Sequence, residues 1–210
     1  MKINFITKLF AKMPVIETPR LCLRAIKRSD LNDIHDYASN PKTSQYLLWE
    51  PHRSLEYTRE FIEVVLSKYK SGEYNDWAIV YKHNDKMIGT CGYTSIDEEN
   101  NVVEIGYVVN PEYWGMGIAT EAVEIILDFA FEEMNANRVE AKFLFGNDAS
   151  LAVMKKVGMK FEGYLRDSLF VKGKYRTVGI ASILKREYEL NKKYAEMEWA
   201  QMLVPFSCFL

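Results

Sequence analysis

The strongest chemical feature of the sequence is a glycine-rich turn between a predicted strand and a predicted helix. Because glycine has no Cβ, Gly115 and Gly117 let backbone N–H groups approach an anion closely. The helix that follows adds its free N-terminal amides and the positive end of its dipole. The spacing fits neither a Walker loop nor GxGxxG, since Thr120 stands three residues after Gly117. The turn predicts a metal-free pyrophosphate cradle; from the glycines alone, a plain strand-to-helix turn is the alternative.

The elements around this turn follow from the hydrophobic pattern. Apolar alternation and apolar runs predict strands at residues 21–26, 77–81, 87–96, 102–109, 139–145, 161–171 and 175–184. Helical spacing predicts helices after Ser29-Asp30, from Ser54 to Gly72, from Thr120 to about Asn135, at 148–157 and at 185–202. An antiparallel meander followed by strands joined through helices predicts an α+β, three-layer fold. We expect a mixed, mostly antiparallel sheet of six or seven strands with helices on both faces.

One domain is expected at residues 15–188, because the sequence contains no internal repeat, low-complexity tract or flexible linker. Residues 1–14 form an amphipathic extension, which we expect to dock on the body or on a second subunit. Peripheral membrane binding is the alternative for this segment. Residues 189–210 form a helical tail with an apolar end, which favours a self-contact and hence a homodimer.

Composition and charge narrow the class of protein. The chain of 210 residues has 27 basic and 29 acidic side chains, so no attraction to nucleic acid is evident. Its three cysteines and three histidines are scattered, which argues against a metal site and favours a reducing, cytoplasmic compartment. No apolar run approaches the roughly 20 residues that span a bilayer. We therefore expect a cytoplasmic globular protein with no metal and no integral membrane segment.

Four sequence blocks in order extend the turn to a family resemblance. They lie at residues 17–24, 104–122, 147–159 and 162–167. Together they closely resemble the GNAT superfamily of N-acetyltransferases, whose cofactor pattern is Gln/Arg-x-x-Gly-x-Gly/Ala. Trp114, Gly117 and Ala119 stand at the three positions of that pattern. A tryptophan at the first position resembles the RimJ/RimL-type branch, which acetylates the N-terminal amines of ribosomal proteins. The resemblance extends over residues 16–188.

The resemblance implies acetyl-CoA as the donor and direct attack of an amine on its thioester, with no covalent enzyme intermediate. Backbone groups of the strand would orient the acetyl and pantetheine portion, and amides of the turn would hold the pyrophosphate. The implied cofactor-binding residues are Tyr107, Val108, Val109, Trp114, Gly115, Met116, Gly117, Ile118, Ala119, Thr120, Asn147 and Ser150.

Two side chains are implied in the chemistry itself. Ser150 would donate to the departing thiolate, and Glu104 would act through water as general base. From spacing alone, residues 147–150 are equally a turn with a helix N-cap, and Glu104 is equally a structural carboxylate. Another superfamily position for a base is Lys142 here, which excludes that route.

The acceptor is less defined by the sequence. Trp49 and Tyr93 are the predicted acceptor contacts, and Thr177 stands where the branch often carries Asp. The preferred acceptor is a protein N-terminal amine. The alternatives are a small amine (a polyamine, an aminoglycoside or an amino acid) and a module that binds acyl-CoA without catalysis.

Overall fold

The computed structural model describes residue 10, residues 12–72 and residues 76–202, with only the backbone described for 198–202. Its strands are β1 (Ile16–Glu17), β2 (Leu21–Arg24), β3 (Asp76–Tyr81), β4 (Lys86–Asp97), β5 (Val102–Val109), β6 (Arg138–Leu144), β7 (Lys160–Val171) and β8 (Lys174–Leu184). Its helices are α1 (Leu31–Ala38), α2 (Pro41–Ser44), α3 (Leu55–Ser71), α4 (Ile118–Glu132), α5 (Asp148–Lys156) and α6 (Lys185–Met202).

The strands form one eight-stranded sheet in the order β1-β2-β3-β4-β5-β6-β8-β7. Only β5 and β6 pair in parallel among the described strands, and every other neighbouring pair is antiparallel. The predicted mixed, mostly antiparallel sheet is confirmed. The strand beyond the expected six or seven is β1, whose two residues are too short for alternation to be visible in the sequence.

Alternation along β3 separates the two faces of the sheet. Trp77 and Ile79 face a large core formed mainly with α4, whereas Ala78 and Val80 face a smaller core formed with α1 and α3. Each strand of this kind presents its successive side chains to opposite faces, so both faces are covered. The predicted helices on both faces are therefore confirmed.

Residues near both ends of the described chain also pack on the body. Phe10 is 1% exposed, and its ring lies 5.5 Å from the ring of Trp77. At the other end, Tyr188 stacks on Phe131 at 4.6 Å and donates to Asp128 Oδ1 at 2.7 Å. The remaining residues of the predicted extension, apart from 12–14, and the apolar end at 203–210 lie outside the described residues.

The gap that holds the site arises where two strands part. β5 pairs with β6 only from Val102 opposite Arg138 to Ile105 opposite Ala141. Beyond that point β5 stays paired with β4 to Val109, and β6 stays paired with β8 to Leu144. The sheet therefore opens between β5 and β6, which leaves backbone groups of both strand ends unpaired across the gap.

No helix in the described part of the chain is both long and apolar enough to cross a membrane.

Candidate active site

Two cavities meet at the gap between β5 and β6. One, of about 430 Å³, is bordered by the glycine-rich turn and is called the loop cavity. The other, of about 530 Å³, is bordered by β4 to β8 and is called the strand cavity. Five residues line both of them: Tyr46, Leu47, Tyr107, Asn147 and Ser150. These shared residues define a junction through which ligands in the two cavities can meet.

The glycine-rich turn forms the floor of the loop cavity. Gly115 and Gly117 have φ of +77° and +75°, and Gly117 is the N-cap residue of α4. No side chain caps this helix, so the amides of its first turn have no protein acceptor from a cap. The residues of that first turn line the cavity with the positive end of the helix dipole behind them, an arrangement that suits an anion, and pyrophosphate binding stays a prediction.

Most of the turn residues predicted to hold the cofactor line this cavity. They are Trp114, Gly115, Gly117, Ile118, Ala119 and Thr120, together with Tyr107, Val108 and Val109 from β5. Met116 does not line it; its carbonyl instead accepts from Arg20 Nη1 at 2.9 Å. Lys42 and Lys156 add two cationic side chains to the lining. The cradle predicted from the glycines does not depend on a lysine. These two lysines, one before and one after the turn in the sequence, have charges that complement an anion.

A set of side-chain contacts holds the turn in place. Arg20 Nε donates to Glu121 Oε2 at 2.6 Å, and Thr18 Oγ1 donates to Glu121 Oε1 at 2.5 Å. Trp114 Nε1 donates to the carbonyl of Val109 at 2.8 Å. The family resemblance implies that this part of the β5 backbone orients the cofactor, so one of its carbonyls is already engaged. The cradle is therefore fixed by the residues just before β2 and by the end of β5.

Ser150 and Tyr107 bring two hydroxyl groups to the junction. Tyr107 Oη lies 2.8 Å from Ser150 Oγ and 3.0 Å from the Ser150 carbonyl oxygen. Burial raises the pKa of Tyr107 to about 12, although its hydrogen bond to Ser150 lowers it. Tyr107 thus keeps its proton at neutral pH. When that proton is donated to Ser150 Oγ, the Ser150 proton is left to be donated into the cavities.

Asn147 orients the same segment. Its Oδ1 accepts from the Ser150 amide at 3.2 Å, so it is the N-cap of α5. The side chain also lines both cavities. The N-cap reading of residues 147–150 is confirmed and the cap fixes the segment that carries Ser150, whereas the cofactor role of Asn147 and Ser150 stays a prediction.

Glu104 lies in the strand cavity with both of its oxygens engaged. Oε1 accepts from Thr94 Oγ1 at 2.9 Å, and Oε2 forms an ion pair with Lys142 Nζ. The hydrogen bond to Glu104 raises the pKa of Lys142. The Glu104 side chain is 20% exposed. The strand cavity therefore contains a carboxylate, and this carboxylate is already paired with Lys142.

The outer wall of the strand cavity comes from an irregularity in β7. Pairing with β8 skips between Leu165 and Leu169, and Asp167 within the bulge has φ of +49°. The Asp167 amide donates to Thr177 Oγ1 at 3.4 Å. Bulges re-aim side chains, and here Leu165, Ser168 and Leu169 line the cavity.

The two predicted acceptor contacts lie elsewhere. Tyr93 is 4% exposed within the large core, and its hydroxyl donates to the Ile126 carbonyl at 2.7 Å. Trp49 packs on the smaller core, with its ring 5.7 Å from that of His52. Neither residue lines either cavity among the described residues. Tyr93 is used for core packing, so its prediction is corrected, whereas Trp49 is half-buried beside the cavity-lining Leu48 and its acceptor role stays a prediction.

The residues that line the strand cavity instead could not be identified from local spacing. Thr94, Lys142 and the β7 bulge come from separate strands, and only the register of the sheet brings them together. Tyr46 and Leu47 lie close to the predicted Trp49 in sequence, so the segment that contains Trp49 borders the strand cavity. The Tyr107 hydroxyl was missed because only its backbone had been considered.

A strand, an uncapped glycine turn and a helix suited to an anion, joined to a second cavity with hydroxyl and carboxyl groups, are compatible with an acyl-CoA-dependent transferase. Residues 20–160 match the family model described as "Acetyltransferase (GNAT) domain". The chain belongs to this GNAT family and is an N-acetyltransferase, as the sequence blocks predicted. The family uses acetyl-CoA as its acetyl donor.

Similar proteins differ in the acceptors that their names give. An uncharacterised N-acetyltransferase, p20, of Bacillus licheniformis is 36% identical over 84% of this chain and 99% of its own length. The spermidine N(1)-acetyltransferase of Vibrio cholerae is 26% identical over 83% of this chain and 95% of its own. The structure of ribosomal-protein-S5-alanine acetyltransferase from Vibrio fischeri superposes with a TM-score of 0.67 at 25% identity, covering 83% of this chain and 98% of that one.

Proposed function

We propose that this N-acetyltransferase acetylates the N-terminal α-amine of a protein, with acetyl-CoA in the loop cavity and the chain terminus in the strand cavity. The observation that carries the proposal is the lining of the strand cavity. Glu104 and Lys142 are the only charged side chains among its described lining residues, and they are paired with each other. The remaining lining is largely apolar and aromatic, which suits a singly charged amine attached to a neutral chain.

The loop cavity provides for the donor. Acetyl-CoA supplies a thioester carbonyl that a neutral amine can attack. Amides of the first turn of α4 bind the pyrophosphate, and Lys42 and Lys156 add favourable charge at its rim. The unpaired backbone at the ends of β5 and β6 is available to the acyl arm, as is the side chain of Asn147.

The junction provides for the proton transfers. Ser150 donates a hydrogen bond to the departing thiolate, and Tyr107 stabilises Ser150 through the 2.8 Å contact. Glu104 accepts the proton that the acceptor ammonium must lose before its nitrogen can attack. Ser150 lies at the junction and Glu104 lines only the strand cavity, so the two groups serve the leaving group and the acceptor respectively.

Two alternatives are weighed against the same lining. A polyamine carries several positive charges, yet this cavity offers it one carboxylate that is already paired. A module that only binds acyl-CoA would have no use for Ser150 and Glu104 at the junction and in the acceptor cavity. A small amine is nonetheless named for one relative, so it is the second acceptor class to test.

The test is release of free CoA thiol by the wild-type protein over an acceptor panel. The panel contains peptides with free N-terminal alanine, serine or methionine, their Nα-acetylated forms, spermidine and an aminoglycoside. We expect thiol release with free-amine peptides, none with the Nα-acetylated peptides, and kcat/KM for spermidine at least about tenfold lower. Preference for spermidine would assign a small-molecule acceptor. A thermal shift with CoA but no thiol release on any amine would assign a binding module.

A further inference from the structure

We propose that Lys142 occupies the ammonium site of the acceptor, so that the incoming amine binds by displacing Lys142 from Glu104. The inference rests on the proposed function in so far as the acceptor is an amine. It makes Lys142 a residue that sets acceptor affinity and selectivity, although it takes no part in bond formation. Its chemistry is that of a primary ammonium, the same group that the acceptor presents before deprotonation.

The first support is the occupancy of the Glu104 carboxylate. Thr94 holds Oε1 at 2.9 Å, and Lys142 Nζ is paired with Oε2. An arriving ammonium finds no other carboxylate among the described residues that line the strand cavity. It must therefore share or take the place of Lys142.

The second support is that Lys142 has somewhere to go. Its Nζ lies 3.7 Å from Glu140 Oε1, and Glu140 is the register partner of Glu104 on β6. Glu140 does not line the strand cavity, and its other oxygen is held by Arg138 at 3.0 Å. Lys142 is 41% exposed and lies on a flexible stem, so moving from one carboxylate to the next needs only side-chain rotation.

The third support is the cost of leaving Glu104 without a cation. Glu104 and Glu140 lie opposite each other on adjacent strands, an arrangement of like charges that is unfavourable unless a cation lies between them. Arg138 binds Glu140 at 3.0 Å and Glu162 at 2.6 and 2.7 Å, but among the described residues it forms no ion pair with Glu104. Lys142 thus neutralises Glu104 when no acceptor is bound, and the acceptor ammonium neutralises it afterwards.

This exchange predicts how removal of the lysine affects acceptor binding. Lys142→Gln leaves Glu104 available, so a cationic acceptor binds without competition. We expect about fivefold tighter binding, the scale of a partly exposed ion pair. Lys142→Arg keeps a cation at the site and should leave the affinity close to that of the wild type. The KM for acetyl-CoA should stay unchanged in both variants.

Binding is measured by calorimetry with the CoA-bound protein, so that no turnover is needed. The probes are trialanine amide, which has a free amine, and its Nα-acetylated form, which lacks the charge. Tighter binding of the free amine by Lys142→Gln, with the acetylated form unaffected, is the expected result. Lys160→Gln is the matched control, because it breaks a Lys–Glu pair of 2.6 Å outside both cavities.

Two results would overturn the exchange. In the first, Lys142→Gln keeps the wild-type melting temperature but binds the free-amine probe no more tightly than the wild type does, or does not bind it detectably. The other is an equal gain for the acetylated peptide, which would indicate extra space rather than a vacated charge. If Lys142→Gln is less stable, Lys142→Met repeats the comparison. Absence of thiol release on every acceptor would refute the proposed function instead, and the binding comparison would still decide the role of Lys142.

Discussion

The two cavities that meet at Ser150 are built in different ways. The loop cavity takes ten of its 21 lining residues from one continuous stretch, which runs from the end of β5 through the glycine turn to the start of α4. The strand cavity is made of side chains that five strands and the segment after α2 bring together. Backbone amides remain in place when a side chain is replaced, whereas the side chains of a cavity can change one at a time. The donor is therefore set by the fold and the acceptor by the particular sequence.

This difference predicts that variants of the strand cavity should change kcat/KM for the acceptor, whereas variants of the glycine turn should change affinity for CoA. The most severe test is Glu104→Gln. The amide can keep the contact to Thr94 but cannot take a proton from the acceptor. We expect kcat/KM for the acceptor to fall about 100-fold while the dissociation constant of CoA stays unchanged. Steady-state thiol release and calorimetry with CoA measure the two quantities.

Glu63→Gln is the control for Glu104→Gln. Glu63 is also paired with a cation, Arg28 at 2.6 Å, and lies outside both cavities. It should leave the rate and its dependence on pH as they are in the wild type. An unchanged kcat/KM and pH–rate profile in Glu104→Gln would remove Glu104 from proton transfer.

Ser150→Ala tests the junction at the next level of effect. The lost hydrogen bond to a charged leaving group corresponds to about 2 kcal/mol, or about 30-fold in kcat. Tyr107→Phe should cost only about threefold, since it acts through Ser150 rather than on the thiolate. The double variant should then be no slower than Ser150→Ala alone.

Single-turnover rates of the four proteins in this cycle give the coupling directly. Additive losses would mean that Tyr107 contacts the reacting atoms independently of Ser150. The pKa of Tyr107 of about 12 adds a second check. Because the phenol is protonated below that value, Tyr107→Phe should not alter how kcat depends on pH between pH 6 and 9, a range set by the assay.

The sequence predicted the loop cavity well for the same reason that its variants should affect CoA. Gly115, Gly117 and the helix that follows act through their own backbone, so residues adjacent in sequence form the whole turn. The mixed, mostly antiparallel character of the sheet also followed from the pattern of strands and helices, whereas the strand order and the two-residue β1 did not. Local patterns were sufficient wherever the interaction partners are neighbours in sequence.

The strand cavity was predicted poorly because its contacts are between distant residues. The residues around Lys142 in sequence do not indicate that Glu104, on the neighbouring parallel strand, is its ion-pair partner. Tyr93 and Trp49 are aromatic residues close to the cavity in sequence, yet Tyr93 lies in the large core and Trp49 packs against the smaller one. Strand register decides which face a residue takes, and a single sequence leaves the register of distant strands open.

Gly117→Ala examines the turn itself, with a smaller expected effect. At φ of +75° an alanine costs about 1 kcal/mol, so the free turn relaxes and CoA binding must restore it. The dissociation constant of CoA should rise about fivefold, and kcat at saturating acetyl-CoA should change little. Gly173→Ala is the matched control, with the same φ of +75° in the β7–β8 turn. It should lower stability alone, and an equal loss of CoA affinity in both variants would refute local action of the turn.

The smallest expected effect belongs to Arg20, which supports the turn from outside the cavity. Arg20→Met removes the contacts to the Met116 carbonyl and to Glu121, both of them partly exposed. Such pairs contribute little, so CoA affinity should fall only about twofold at low salt. The difference from the wild type should shrink in 0.5 M salt, a chosen assay condition, because exposed charges are then screened. Arg28→Met, which breaks a remote pair with Glu63, should leave CoA affinity unchanged. A loss in Arg20→Met that persists in high salt would show that the hydrogen bond to Met116, rather than charge, holds the turn.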